Sequence, residues 1–394
     1  MNRTQYILIV ILIAGMSSLN PVAIDTFLPA MPEIAKAMAV DPGTIGITIG
    51  IFTLGTALGQ ISIGPLSDRF GRKPVMCWGL VLFIVTGLLS TYAGNVETLS
   101  AIRFIQGISA ASGRILGVAI VRDIYKEERA AKLLSNIWTV GSIMPMLNPF
   151  VGSVLLLHFQ WSSVFIYMAV FGGLMLVLAL LFFNETLPQK NHSALRPSHL
   201  LMNFSQIGAN RTFIMYTASV TFASSALYGF LAGASDVLIT QLQQSPTTFA
   251  YEFALVMLGG MTGSFISGRL SVKLGIKRMI SIGVSITTIF GLILLGLALN
   301  GVFTATAIIL PFALFRIGDA MISAQSMAGA LSPFPDRAGA ASSLLGFTRQ
   351  MVGATVAILV GYFADGTALP MAVAIFCGGI VPAGIYIFYL RKSS

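Results

Sequence analysis

Charged residues are scarce in this chain, because only 9% of its 394 residues are Asp, Glu, Lys or Arg, against roughly a quarter in an average soluble domain. Hydrophobic residues make up 56% of the sequence, a share that argues against an ordinary soluble protein. At about 20 residues for each membrane-spanning helix, the length accommodates about twelve spans. The sequence therefore predicts an all-α, multi-pass membrane protein.

Several chemical signatures are absent as well. The two cysteines, Cys77 and Cys377, lie in or beside apolar segments and predict no stabilising disulfide, and the three histidines lie at span ends or in the central loop, so no metal site is expected. No Gly-Lys dipeptide occurs, which argues against the usual phosphate-binding loop and an ATP-driven pump. No pairing of a nucleophile with a base is recognisable, so neither an enzyme nor a bound cofactor is expected.

The formal net charge of +9 mainly reflects topology. Most of the lysines and arginines fall in short turns and tails beside apolar runs, where the positive-inside rule places them in the cytoplasm. The sequence has no arginine-rich arm and no aromatic platform for bases, so no nucleic-acid partner is expected.

A short basic turn, Gly64-Pro-Leu-Ser-Asp-Arg-Phe-Gly-Arg-Lys-Pro74, separates two long apolar runs and recurs in weaker form as Gly268-Arg-Leu-Ser-Val-Lys-Leu-Gly-Ile-Lys-Arg278. Gly71 aligns with Gly275, 204 residues later. An even number of helices between two turns on the same membrane side indicates a parallel repeat, whose halves are related by an axis along the membrane normal. The sequence thus predicts two six-helix bundles.

Apolar runs and their flanking charges define the predicted topology. A retained first span is favoured over a cleaved signal peptide, because cleavage would leave an odd number of helices. The predicted domains are residues 1–184, a cytoplasmic linker at 185–210, and residues 211–394, with both termini cytoplasmic. The predicted spans are Gln5–Ala30, Thr44–Ile63, Val75–Ala93, Leu99–Val121, Leu133–Leu157, Trp161–Phe183, Thr212–Ala234, Thr247–Ile266, Met279–Leu299, Ala305–Ala328, Ala338–Phe363 and Leu369–Leu390.

A few charges lie deep inside these spans, where each costs about 2.5 to 3.5 kcal/mol at the bilayer centre and usually faces a cavity or a partner. They are Asp25, Arg103, Arg114, Arg316, Asp319 and Arg349. These side chains are the candidates for proton coupling and substrate binding.

Asp25 and Arg103 are predicted to lie at similar depth in the outer half of the membrane, because Asp25 comes late in span one and Arg103 early in span four. A desolvated carboxylate can load and release a proton as its surroundings change, which makes Asp25 a proton-coupling candidate and a substrate ligand. The alternative is a static Asp25–Arg103 ion pair that joins two helices.

Cations outnumber carboxylates inside the predicted spans. Arg316 and Asp319 can pair on one helix, and Asp319 is a second proton-coupling candidate, whereas Arg114 and Arg349 are left without an assigned carboxylate. This surplus favours an anionic or carbonyl-rich ligand contacting Arg114, Arg316 and Arg349. The alternatives are that Arg114 snorkels to the interface and that Arg349 bridges two helices.

Other residues are candidates for substrate binding or gating. Tyr216 and Tyr228 on span seven can line a cavity, or contact lipid instead. Pro145 and Pro149 remove backbone hydrogen bonds and bend span five, and Gly152 permits close approach of a neighbour.

The basic turn resembles the loop between the second and third helices of the major facilitator superfamily, and other motifs resemble its Bcr/CflA-type drug exporters. Asn20-Pro-Val-Ala-Ile-Asp-Thr-Phe-Leu-Pro29 is similar to the span-one signature of these exporters, with Phe27 where tyrosine is usual. Arg103-Phe-Ile-Gln-Gly107 resembles the span-four motif of the superfamily, whose arginine is implicated in proton coupling. Gly141 to Ser153 resembles the antiporter motif, with Ser153 replacing its final glycine.

The resemblance implies a major facilitator fold and roles for single residues. It implies that Asp25 carries the proton and contacts substrate, that Arg103 takes part in coupling, and that Asp68 latches against the start of span eleven near 336–339. Arg69 and Arg72 of the same turn are assigned to this gate. A plain surface charge is the alternative for Asp68.

The expected function is proton-coupled export of drugs or small metabolites across a bacterial inner membrane by alternating access, with the proton as the coupling ion and a monomer as the working unit. The alternative is a transporter of an anionic metabolite, such as a carboxylate siderophore, in either direction. A receptor or a channel is a further alternative.

Overall fold

The structure is a computed structural model that describes residues 3–125, 127–192, 194 and 197–390. Helices account for nearly all of these residues, and no strand occurs among them. The α-helices are α1 (Arg3–Ser17), α2 (Leu19–Asp25), α3 (Met31–Ala37), α4 (Pro42–Phe70), α5 (Arg72–Ser90), α6 (Val96–Ile124), α7 (Glu127–Gly141), α8 (Met144–His158), α9 (Ser163–Phe182), α10 (Pro197–Gly208), α11 (Arg211–Ser235), α12 (Pro246–Leu299), α13 (Ala305–Leu331), α14 (Ala338–Tyr362) and α15 (Leu369–Ile385).

Ten helices of the described chain are long and apolar enough to cross a membrane, and the first span, which is broken, adds an eleventh. The 54-residue α12 is too long for one span, because a bilayer core of about 30 Å is crossed by about 20 helical residues. Its backbone leaves helical geometry at Gly275, where two helices meet. Counted as two there, the spans are twelve, and the predicted all-α membrane fold is confirmed.

The first span is not one continuous helix. A bend of 41° separates residues 7–17 from residues 19–37, and the Ser18 hydroxyl donates to the Ala14 carbonyl oxygen at 2.8 Å just before it. Pro21 has no N–H to bond to the preceding turn, so a helix restarting at Leu19 places it in the first turn, where this bond is not needed. The break therefore lies just before Asn20 and Pro21.

The two aligned glycines of the repeated turn share an unusual backbone conformation. Gly71 has φ of 110° and Gly275 has φ of 75°, values that side chains with a Cβ rarely adopt. Each therefore lets the chain pass from one membrane-length helix into the next within a single residue.

The chain divides into two compact units. Unit 1 contains Met1–Ala30 and Ile51–Leu201, and unit 2 contains Met31–Gly50 and Met202–Ser394. The domain boundaries at residues 184 and 210 stay a prediction. Helix α10 lies within the stretch that the sequence reads as a linker, and its Ile207 is buried in unit 2 against Phe213 and Leu345.

Close helix packing holds unit 1 together. A Cβ added to Gly55 would lie 2.0 Å from the Phe104 carbonyl oxygen, and one added to Gly107 would lie 2.0 Å from that of Phe52. Neither position admits a larger residue without a backbone shift. Helices α4 and α6 therefore cross with their backbones in contact, which places Phe52 beside the polar part of α6.

An aromatic core fills one end of unit 2. Phe230 of α11 stacks on Phe312 of α13 with ring centroids 4.4 Å apart, and Phe312 stacks in turn on Phe315. Phe249 and Phe253 of α12 complete the cluster. Phe230 is fully buried in this core.

Candidate functional site

Arg103 is the largest fully buried side chain of unit 1. Its guanidinium carbon lies 4.7 Å from the ring centroid of Phe27 and 4.5 Å from that of Phe52. Its Nη1 donates to Gln106 Oε1 at 2.8 Å, one turn further along α6. Electrostatic attraction to the faces of two aromatic rings therefore replaces part of the lost hydration of the cation.

The same guanidinium keeps unused hydrogen-bonding capacity. Nε and Nη2 of Arg103 are buried and have no partner among the described residues. The predicted alternative of a static ion pair with Asp25 is wrong, because the salt bridges of the described chain do not join these two residues. Asp25 follows the break at Ser18, and the helical count used to place it does not hold across that break.

Asp25 ends α2 and is buried, with 6% of its surface exposed. The side chain of Asn148, from α8, interacts with its carboxyl group. Neither amide atom of Asn148 completes a hydrogen bond of ordinary length and angle, and Thr26 Oγ1 also lacks a partner among the described residues. Buried polar groups are normally satisfied, so this small polar cluster has capacity for a water, a proton or a ligand group.

Helix α8 packs closely against this cluster because Gly152 has no side chain at the point of contact. A Cβ added to Gly152 would lie 2.4 Å from the Thr26 carbonyl oxygen and 3.0 Å from Pro29 Cγ. The predicted span Leu133–Leu157 is interrupted between Gly141 and Met144, so that Pro145 falls in the first turn of α8. Pro149 lies inside α8 and is buried. The break and the two prolines set the direction in which α8 presents Asn148.

Unit 2 holds a second charged cluster within its helices. Arg316 and Asp319, one turn apart on α13, form an ion pair between Nη1 and Oδ2. Ser323 donates to Asp319 Oδ1 at 3.2 Å, and Ser323 contacts the Ser224 hydroxyl of α11 at the same distance. Arg316 lies over Gly260, where an added Cβ would meet its Nη2 at 3.0 Å. The chain thus holds this pair with small and hydroxylated residues around it.

The remaining substrate candidates have different surroundings. The Tyr228 hydroxyl donates to Gln350 Oε1, and the Tyr216 ring packs against Gly329. Arg349 is half-buried, and its Nε has no partner among the described residues. Arg114 has an exposed side chain with an interaction of its own. Arg103 and Arg114, predicted to share a helix face, therefore differ completely in burial.

The basic turn forms an ionic network within unit 1. Arg72 Nη1 contacts Asp68 Oδ1 and Ser67 Oγ at 2.5 Å each, and Arg72 Nε contacts Asp123 Oδ2 at 2.9 Å. Arg69 instead lies over the Phe70 ring at 5.4 Å. Of the two arginines assigned to the gate, Arg72 is the one that joins helices. The latch between Asp68 and the start of span eleven stays a prediction.

Glu185 caps the start of α5 from a distance in sequence. Its carboxylate accepts from the backbone N–H groups of Arg72 at 2.9 Å and Lys73 at 3.1 Å. Burial opposes ionisation, but hydrogen bonds from the backbone N–H groups of Leu187, Arg72, Lys73 and Thr186 outweigh it and lower the pKa of Glu185. An acidic group at a helix N-terminus is also stabilised by the helix dipole.

Sequence reasoning missed several polar residues of the helices. Asn148, Gln106 and Gln350 are buried beside the charged candidates, and amides within apolar runs were an available signal. Glu252 lies near the start of a predicted span, where a carboxylate is expected to reach water. The structure shows that Oε2 of Glu252 is buried instead.

Comparisons with known proteins agree with one another. The family model that matches residues 8–358 is that of the Major Facilitator Superfamily. The "Bicyclomycin resistance protein homolog" of Haemophilus influenzae is 31% identical over 395 residues, covering 100% of this chain and 98% of the relative. The "Multidrug resistance protein MdtL" of Klebsiella pneumoniae is 28% identical over 357 residues, covering 91% and 89% of the two chains.

Solved structures show the same fold at low identity. The xylose transporter XylE from E. coli, in a partially occluded inward open conformation, aligns with a TM-score of 0.74 at 14% identity, covering 99% of this chain and 98% of that one. A bacterial homologue of the human lysosomal transporter Spinster aligns with a TM-score of 0.71 at 14% identity, covering 99% and 96%.

Proposed function

Because the chain belongs to the major facilitator superfamily, we propose that it is a proton-coupled exporter of drugs or small metabolites. It is a multi-pass membrane transporter and not an enzyme. The names of two relatives, a bicyclomycin resistance protein homologue and a multidrug resistance protein, support export of drugs. We assign it to a bacterial inner membrane as a monomer, with both termini cytoplasmic and no nucleic-acid partner.

Asp25 is the observation that carries the proposal. It is a buried carboxylate without an ion-pair partner among the described residues, next to an amide with unused hydrogen-bonding capacity. A carboxylate in this setting is neutralised by a proton more readily than one held by an arginine. We assign to Asp25 the transported proton, with substrate release following protonation from outside and substrate binding following proton loss to the inside.

The aromatic and cationic side chains have supporting roles in this cycle. Arg103 forms no ion pair with Asp25 among the described residues, and we assign it to proton coupling. In unit 2, Asp319 is paired with Arg316, and we assign this pair to coupling and substrate binding together. Tyr228, Tyr216, Arg114 and Arg349 are assigned to substrate contact, and Asp68, Arg72, Arg69, Pro145, Pro149 and Gly152 to gating.

The available energy suffices for export. One proton moving inward through about 100 mV releases about 2.3 kcal/mol, and a difference of one pH unit adds about 1.4 kcal/mol. Together they sustain a concentration gradient of roughly several hundredfold for a neutral substrate carried in exchange for one proton. The proton is the only coupling ion that this cycle needs.

Measuring efflux from cells distinguishes proton-coupled export from a channel. Cells producing the chain are loaded with a fluorescent cationic dye, and dye retention is measured with and without a protonophore. We expect lower retention in producing cells and loss of the difference with the protonophore. Retention that is lowered equally in both conditions would contradict proton coupling and favour a channel.

Transport of an anionic metabolite is the second candidate. Arg349 Nε and Arg316 Nε are buried without partners among the described residues, and each N–H can donate a hydrogen bond to an anion or carbonyl group. Thermal stabilisation of the purified protein, measured across drugs, nucleosides and carboxylates, distinguishes the two. Stabilisation by carboxylates alone, lost in Arg349→Gln, would favour the anionic substrate.

A further inference from the structure

A carboxyl and an amide side chain meet at the start of α12. Gln244 precedes this helix, and Glu252 lies about two turns inside it. Gln244 Nε2 donates to Glu252 Oε1 at 2.8 Å. Both side chains are half-buried, at the end of unit 2 that the topology predicts to face outward. Neither residue has a role in the mechanism described above.

Each of these two side chains has one buried oxygen without a hydrogen bond. They are Glu252 Oε2 and Gln244 Oε1, which lack partners among the described residues. Leaving such an atom unsatisfied destabilises the folded protein, and more so where the atom carries charge. An ionised carboxylate only accepts hydrogen bonds, and the amide oxygen also only accepts, so the ionised pair cannot satisfy either atom.

One proton resolves both deficits. A protonated carboxyl donates through its O–H while its other oxygen still accepts. With the proton on Oε2, Glu252 can donate to Gln244 Oε1 while Gln244 Nε2 continues to donate to Glu252 Oε1. The result is a closed acid–amide pair with two antiparallel hydrogen bonds, which a small rotation of either side chain can complete.

We propose that Glu252 and Gln244 form a proton-binding pair at the start of α12. The proton bonds to Glu252 Oε2, and no other atom changes its covalent partners. The existing hydrogen bond holds the two side chains together before the proton arrives, so the acceptor oxygen of Gln244 is already close to the site.

No charged group on a neighbouring element forms an ion pair with Glu252 among the described residues. Helix α12 packs against α13, α15 and two single-turn segments, Asp236–Gln241 and Tyr386–Leu390. On α13, Arg316 and Asp319 are paired with each other, and Arg316 lies beside Gly260, eight residues further along α12. Helix α15 carries no charged residue. No described cation forms an ion pair with Glu252.

The two single-turn segments add no positive charge. Asp236 accepts a hydrogen bond from Gln241 at 3.2 Å within its own segment, and Tyr386 and Tyr389 are the titratable groups of the other. Thr240 Oγ1 is a third buried oxygen without a partner among the described residues. It forms no hydrogen bond with Glu252 or Gln244.

A proton here has a place in the transport cycle, and that part of the inference rests on the proposed proton coupling. Asp25 belongs to unit 1 and Glu252 to unit 2, so each unit holds a carboxyl without a cation. The proton on Glu252 would stabilise the packing of the start of α12 when the outside is acidic. Proton binding by the pair does not itself depend on what the protein transports.

Infrared difference spectroscopy of the purified, full-length protein tests the proposal. Spectra recorded across a pH titration show the C=O stretch of each protonated carboxylic acid. We expect Glu252→Gln to remove one such band, because glutamine can form the paired hydrogen bonds without a proton. Glu97→Gln is the matched control, since Glu97 is exposed in the first turn of α6, and it should keep the band.

A second variant keeps the test valid if Glu252→Gln does not fold. Gln244→Leu retains the carboxyl but removes its partner, so we expect the band to move to the frequency of a carboxyl without that hydrogen bond. An unchanged spectrum in both variants would overturn the proposal. Thermal stabilisation by Na⁺ that is lost in Glu252→Gln would overturn it too, in favour of a metal cation at these oxygens.

Combined with the efflux assay, the spectra distinguish failure of the Glu252 proton site from failure of the proposed function. If the band is insensitive to both variants while efflux still responds to the protonophore, the pair is refuted and proton coupling stands. If the band behaves as expected while efflux ignores the protonophore, the proton site stands and coupled export does not.

Discussion

The guanidinium carbon of Arg103 lies 4.5 Å from the ring centroid of Phe52, and Phe27 covers it at 4.7 Å. A buried cation is thus held by two aromatic faces and one amide, while Asp25 lies beside a different amide, that of Asn148. The carboxyl and the guanidinium of unit 1 are therefore separately supported. A proton can leave or join Asp25 without breaking an ion pair to Arg103.

We predict that Phe52 and Arg103 are energetically coupled. A desolvated cation–π contact contributes about 2 kcal/mol, so Phe52→Leu should lower stability by more in the wild type than in an Arg103→Met background. Denaturation of the four proteins of this cycle measures the difference. Phe165 is the control, because it is fully buried and contacts the Phe27 ring; equal coupling of Phe165 and Phe52 to Arg103 would contradict the prediction.

Neutralising Asp25 should uncouple transport without unfolding the protein. Asp25→Asn removes the titratable group and keeps the size of the side chain, so uphill efflux should fall to background while downhill exchange of substrate persists. Transport in proteoliposomes with an imposed pH gradient measures both. Glu33→Gln, a change at an exposed carboxylate of α3, should transport normally. Proton-driven efflux retained by Asp25→Asn would rule out the role of Asp25.

The two glycines of span five should respond differently to alanine. Gly152→Ala places a Cβ 2.4 Å from the Thr26 carbonyl oxygen, whereas nothing lies within 4 Å of a Cβ at Gly141. Overpacking typically costs about 1 to 3 kcal/mol, so we expect Gly152→Ala to lower thermal stability and efflux, and Gly141→Ala to change neither appreciably. Similar melting temperatures for the two variants would show that α8 can move away from α2.

Replacing one member of the Arg316–Asp319 pair should lower the stability of the protein more than replacing both. A buried charge left without its partner costs about 3 to 5 kcal/mol, whereas replacing both members with apolar groups is often close to neutral. Arg316→Met and Asp319→Leu should each destabilise the protein strongly, and the double variant should recover much of the loss. Thermal unfolding in detergent provides the measurement. A double variant that is less stable than both single variants would contradict this account. We expect the double variant to be inactive in transport.

Acid should weaken the cap that Glu185 makes on α5. The folded-state pKa of Glu185 lies below its ordinary value because of the backbone N–H groups that bond to it. Its contribution to stability is therefore complete above the unfolded pKa of about 4.3 and is lost as the pH falls through the lower folded value. Melting temperatures of the wild type and Glu185→Gln should differ at neutral pH and converge at acidic pH. Glu97→Gln should follow the wild type, and curves that stay parallel would contradict the prediction.

The sequence was sufficient for the number of spans and the repeated turn, because apolar length and flanking charge determine insertion, whereas the roles of the charged candidates stay predictions. It did not predict the surroundings of those candidates. Asp25 and Arg103 were placed by counting along helices, but the break at Ser18 redirects the chain before Asp25. Arg103 and Arg114 share a helical face by periodicity, yet the neighbouring helices bury the first and expose the second. Burial depends on partners that are distant in sequence.

The second copy of the turn lacks the aspartate that joins the ionic network in the first copy. Asp68 belongs to the Arg72 network, whereas its counterpart Val272 is 90% exposed, and nothing lies within 4 Å of a Cβ at Gly275. A spectroscopic probe attached at residue 272 should therefore leave the molecule undisturbed, while the same probe at residue 68 would dismantle an ionic network. Position 272 is therefore suited to labelling, and position 68 is not.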